Sequence, residues 1–189
     1  MEHRDGLYTV PGMKAEEAEK VTAQLRERLN ALSDLALTLK HVRWNVIGRY
    51  EAPGHTMPDP QVDGAREMAD ATAERIRGPG RLADGTPGCP GHAAGLDDCS
   101  VGRADAIVHL GALDVVYSGV IKAQRTAVDG TEEAGLGTQD TLIGQAHQLE
   151  EFQWFVRAHL EPAHGTLRTV GAATEPAAHS APPGTGTRR

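Results

Sequence analysis

Cysteine is nearly absent from this chain: only Cys89 and Cys99 occur in 189 residues. Two thiols do not make a disulfide framework, so stability must come from an ordinary apolar core. Aromatic residues are also scarce, at 4%. No run approaches 18 apolar residues and the N-terminus has no apolar signal-like region, so neither a transmembrane helix nor a secretory leader is expected. Basic excess is missing as well. The formal charge of −7 argues against a whole surface adapted to nucleic acid, while leaving room for a locally basic tail. These absences predict a soluble, cytoplasmic protein without a membrane partner.

Helical periodicity is abundant. Val21, Leu25, Leu29, Leu32, Leu35, Leu39, Val42 and Val46 recur in steps of three and four, which predicts one amphipathic helix from about Lys14 to Gly48. At 1.5 Å per residue it would be ~45–50 Å long, and a rod of that length needs equally long partners. Residues 49–58 read as a loop. Asp59-Pro60 reads as an N-cap followed by Pro at N1, opening a second helix to Arg77 with Val62, Ala65, Ala69, Thr72, Ala73 and Ile76 inward. Gly78-Pro79-Gly80 stops it.

Residues 78–99 are rich in Gly and Pro and read as a long crossover. Ser100 is positioned to cap a third helix over 101–129, with Ala104, Ile107, Val108, Gly111, Val115 and Ile121 inward. Thr138 is positioned to cap a fourth, over 139–161, with Leu142, Ala146, Leu149, Phe152, Val156 and Leu160 on one stripe. The division is an arm over 1–13, a helical domain over 14–161 and a tail over 162–189. The tail has few large apolar groups and is expected to stay disordered. Short loops force antiparallel neighbours; one long link lets the third helix run parallel to the second. The fold class is therefore all-α, a ferritin-like four-helix bundle with one long crossover between helices 2 and 3.

Chemistry concentrates in His41–Arg77. His55 and Asp59 stand four apart, as do Asp70 and Glu74. On a helix that spacing shares a face. Three carboxylates and an imidazole form a usable ligand set for a hard or borderline metal such as iron. Without further context, Asp70 and Glu74 read as a solvated face, His55 as an exposed loop histidine and Asp59 as a cap. Cys89, His92 and Cys99 fit no standard zinc spacing and lack a fourth ligand.

The segments LTLKHVRWNVIG, HTMPDPQV, ADATAERI, DGTPG, ALDVVYSGVI and LIGQAHQLEEFQWFVRAHLE resemble the Dps family, the twelve-subunit mini-ferritins that oxidise ferrous iron and in many cases bind DNA. The likeness spans residues 7–161. It implies that His55, Asp59, Asp70 and Glu74 are catalytic metal ligands, the first two from one chain and the last two from its two-fold mate. It implies that Trp44 lies near the oxidation centre and that Asp140 lines a three-fold pore. A ring of such acids would concentrate Fe²⁺, although an acid near a helix N-terminus is also favoured by the macrodipole alone.

Three departures matter. Arg43 stands where the family has a ligand His. Guanidinium has no lone pair to give and keeps its charge, so it removes a ligand and adds a competitor for the acids. His41 points to another helix face and does not replace it. The expectation is that Arg43 pairs with Asp70 or Glu74 and weakens iron oxidation. Pro58 disfavours helix before it, which departs from the family's setting of His55 and Asp59. In the crossover, PGCPGHAAG would break the short helix that the family places at its dimer interface.

The leading functional reading is an iron-sequestering shell, a dodecamer that oxidises Fe²⁺ with hydrogen peroxide and stores ferric mineral. The alternative is a nucleoid-associated shell that binds DNA through its tails, where Arg168, Arg188 and Arg189 face only Glu175. Twelve weak tails would act by avidity on phosphates. A third is a cage that assembles without efficient oxidation. Iron titration separates the first from the third.

Overall fold

The computed structural model describes residues 8–47, 57–86, 101–132 and 135–161, together with Thr174. Among these the elements are α1 (Ala15–Asn45), β1 (Val46–Ile47), α2 (Pro58–Arg77), β2 (Ala104–Asp105), α3 (Ala106–Gly130) and α4 (Leu136–Leu160). The expected four long helices are present.

Every apolar position expected to face inward on α1, from Val21 to Val46, is buried. Its three- and four-residue steps put one continuous stripe against α2 and α3. A large core joins Leu32, Leu35, Leu39 and Val42 of α1 to Val62, Ala65 and Met68 of α2, Leu113 and Tyr117 of α3, and Leu149 and Val156 of α4. A smaller cluster at the other end holds Val21, Leu25, Leu29, Ile76, Ala127 and Leu142.

The crossover is pinned at both ends along α1. Near its start, Arg26 donates from Nε and Nη2 to the Leu82 carbonyl at 3.1 and 3.0 Å, and Arg81 pairs with Glu19 at 3.2 Å. Gly80 turns the chain there: its φ of +77 suits glycine, and a Cβ would lie 2.8 Å from the Tyr8 carbonyl oxygen. Near its end, His41 Nε2 meets the Val101 carbonyl at 2.8 Å, and β1 pairs with β2 in parallel register, Val46 with Ala104 and Ile47 with Asp105. Arg26 and His41 are ~22 Å apart along a helix axis. The link thus carries the chain back along α1, so α3 starts beside the end of α1 and runs parallel to α2.

Several boundaries differ from expectation. The second helix opens at Pro58 with Met57 as cap, so Asp59 sits inside its first turn rather than capping it. The third opens at Ala106, because Ala104 and Asp105 are used in the strand pair; Asp105 is its cap, accepting from Ile107 N at 3.0 Å. The expected cap Ser100 lies outside the described residues. The fourth opens at Leu136 after Gly135, and Thr138 is buried within it, accepting from Arg75 Nε at 2.7 Å. The α3 stripe was also partly misplaced: Ile107, Val108 and Val115 are half-buried, whereas His109, Leu110, Leu113, Tyr117 and Val120 fill the core. Apolar residues surround this helix, so periodicity alone could not fix its inward side. By length and composition α3 could cross a membrane, contrary to the reading of apolar runs, but most of that apolar window is buried within the bundle.

Candidate metal centre

Asp59 is the best-defined acid of the expected set. It projects from the first turn of α2 towards the last turns of α1. Lys40 and Arg43, one turn apart, reach it from there: Lys40 Nζ donates to Oδ1 and Arg43 Nε to Oδ2, each at 2.8 Å. Hydrogen bonds from Lys40 and then from Arg43 hold the Asp59 carboxyl below the usual carboxylate range. All three side chains are partly exposed to solvent.

Within the chain Arg43 therefore pairs with Asp59, and not with Asp70 or Glu74, the acids expected as its partners from the mate. The reason is axial distance. α1 and α2 are antiparallel, so the end of α1 faces the start of α2. Asp70 lies three turns further on, ~16 Å from Asp59 along the helix, and Glu74 lies ~22 Å away. Both are exposed on α2. One chain cannot bring Asp59 and the Asp70–Glu74 pair onto one ion. Among the described residues, no group of three or more His, Cys, Asp or Glu is placed to hold a metal. His55 lies outside the described residues, as do Cys89, His92, Cys99, Arg168, Arg188 and Arg189.

Trp44 is 68% exposed. Leu37, seven residues earlier on the same helix face, and Ile47 are exposed too. This apolar strip flanks the Lys40–Asp59–Arg43 cluster. Asp140 is exposed on α4 beyond its first turn, where the pull of the macrodipole has already weakened. The buried Thr138, two residues earlier, is held by Arg75, the residue after Glu74. Trp154 is exposed and tilts against Phe155 at 4.9 Å between ring centroids.

Lys40 was missed from sequence. Its signal was its position three before Arg43, which puts both cations on one face of α1. The buried network around Asp114 was missed because its members are distant in sequence. Gln153 Nε2 and Arg157 Nε reach Asp114 Oδ1 at 2.9 and 2.7 Å across α3 and α4.

A pinned-crossover four-helix bundle with acids on its second helix defines the class, and comparison with known proteins agrees. The ferritin-like domain family matches residues 22–163, and the chain belongs to it. Within that class it belongs to the Dps family. It is 46% identical over 168 residues to the DNA protection during starvation protein of Mycolicibacterium smegmatis, covering 89% of this chain and 92% of that one. Among solved structures, DpsA14 from Streptomyces coelicolor superimposes with a TM-score of 0.82 at 55% identity, covering 87% of this chain and 99% of that one. Mycobacterium smegmatis Dps superimposes with a TM-score of 0.85 at 44% identity, covering 91% and 97%.

Proposed function

We propose that this Dps-family protein sequesters iron in a dodecameric shell, oxidising Fe²⁺ at sites shared between two chains. His55 and Asp59 come from one chain, Asp70 and Glu74 from its mate. The observation that carries this reading is the axial gap between Asp59 and the Asp70–Glu74 pair, which only a second copy can close. The exposed strip of Leu37, Trp44 and Ile47 beside Asp59 gives that copy an apolar surface to cover.

Fe²⁺ and hydrogen peroxide are the substrates. Two ferrous ions each give one electron to peroxide; its O–O bond breaks and, with two protons, it leaves as water. The carboxylates neutralise the growing positive charge on the iron and favour the ferric product, while one imidazole sets affinity. Asp140 gathers cations at the pore, the domain over 14–161 forms the shell and the segment over 162–189 its tail. The setting is the cytoplasm.

Arg43 makes this centre slow. To ligate iron, Asp59 must leave two cations, and Arg43 supplies no lone pair in return. The test is peroxide-driven Fe²⁺ oxidation by the wild type and Arg43→His. The substitution is expected to raise the rate by about tenfold, the scale of altering a ligand's immediate partners. An unchanged rate would refute the role given to Arg43. Loss of oxidation in Asp70→Asn and Glu74→Gln tests the shared site itself, and retention of full activity in both would remove it.

DNA protection is the second reading, favoured by the name of the Mycolicibacterium smegmatis relative. Association with the nucleoid would come from Arg168, Arg188 and Arg189 contacting phosphates. A gel shift that persists after deletion of residues 165–189 would exclude the tail as its cause.

A further inference from the structure

His109 is fully buried in the first turn of α3, and neither ring nitrogen has a hydrogen-bond partner at normal geometry. It lies where three chain segments meet: the last turn of α1, the β1–β2 pair, and the residues that lead into α3. The backbone of Asn45 and of Gly102 lies close enough to favour a ring proton, but burial dominates and pushes the imidazole below its ordinary pKa of 6.5. The titratable groups that act on it are His41, from α1, and Asp105, the cap of α3. His41 in turn holds the Val101 carbonyl, and Asn45 Nδ2 donates to the His41 carbonyl at 2.8 Å. Only two residue pairs join the strands.

We propose that His109 is an acid-sensitive latch that holds the end of the crossover against α1 while its imidazole is neutral. Burying a charge without a partner is costly. A proton on His109 is therefore best accommodated by opening the short strand pair, which admits water to the ring. The neighbouring His41 ring further disfavours a charge on His109. The sign follows from linkage. The folded form binds the proton less readily than the opened form, so closure is complete above the ordinary histidine range and is lost as pH falls below about 6.5. Ile47 of β1 belongs to the exposed strip beside Asp59, so opening also frees the end of that strip.

Hydrogen exchange of the intact protein, followed by mass spectrometry between pH 7.5 and 4.5, tests this. In the wild type, protection factors of residues 45–47 and 101–106 are expected to fall by up to about tenfold per pH unit, the limit for one proton. Residues 20–40 of α1 should keep theirs. In His109→Gln, protection of both segments should no longer vary with pH. If that variant loses protection in acid as the wild type does, or if the whole chain opens together, the latch is refuted. Should His109→Gln not fold, His109→Leu decides: an apolar side chain suits a buried site without hydrogen-bond partners, and protection of both segments should again be flat with pH, whereas acid loss like that of the wild type refutes the proposal.

Discussion

Asp114 and Asp59 are each held by an arginine, and they are held for opposite ends. Asp114, on α3, is 4% exposed. It receives Arg157 Nε at 2.7 Å and Gln153 Nε2 at 2.9 Å, while Gln153 also donates to Ser118 Oγ at 2.8 Å. Asp59, on α2, receives Lys40 and Arg43 at 2.8 Å but remains open to water. Bond lengths do not separate the two. Surroundings do: a buried carboxylate that loses its partner has no water to turn to, whereas an exposed one exchanges one partner for another at little cost. The first arrangement locks α3 to α4. The second leaves Asp59 available to a stronger cation, which is what a transient iron ligand requires.

The contrast is broken most severely from the buried side. Arg157→Met should lower stability to urea by about 2–3 kcal/mol, less than the full cost of breaking a buried ion pair, because Arg157 is itself partly exposed and Gln153 still donates to Asp114. A loss no larger than that of an exposed pair would show that Asp114 finds water. Tyr117→Phe probes a neutral bond in the same core, where Tyr117 Oη donates to Gln61 Oε1 at 2.8 Å. It should cost about 1–2 kcal/mol by leaving the amide oxygen unpaired. Arg43→Met, by contrast, should leave the urea midpoint unchanged while increasing Fe²⁺ affinity, measured by titration under anaerobic conditions. A large drop in stability would mean that the exposed pair is structural.

The same contrast explains what the sequence could and could not disclose. The inward faces of α1 and α4 follow the spacing of single large apolar residues in helices with a polar side, so Leu25 or Leu149 could be placed at once. α3 has apolar residues around it, and His109, Tyr117 and Gln124 are buried where the pattern favoured Val108 and Val115. Asp70 and Glu74 were legible as a pair because four-residue spacing is a local property. The partner of Arg43 was not. Its pairing with Asp59 depended on which end of α2 meets the end of α1, a tertiary fact. Thr138 and Ala104 show the same limit: one was read as a cap and the other as an inward helical position, while the contact with Arg75 and the pairing with β1 decided their roles.

The finest test of the exposed cluster is the titration of Asp59 itself, followed through its side-chain carboxyl carbon by NMR. Its acidity is enhanced first by the hydrogen bond from Lys40 and then by that from Arg43. Because the folded value is depressed below 3.8, the contribution of this cluster is complete above that pH and fades as pH falls further. Lys40→Met and Arg43→Met should therefore each raise the Asp59 pKa, and the double variant should bring it back to the ordinary carboxylate range. At high salt the wild-type value should rise as well, since the pair is open to solvent, whereas the Arg157–Asp114 contact should respond less. A single substitution that restores the ordinary value would reduce the bracket to one pair. Iron would then have one cation to displace from Asp59, and the reason for keeping both on one face of α1 would have to lie in the contact with the second chain.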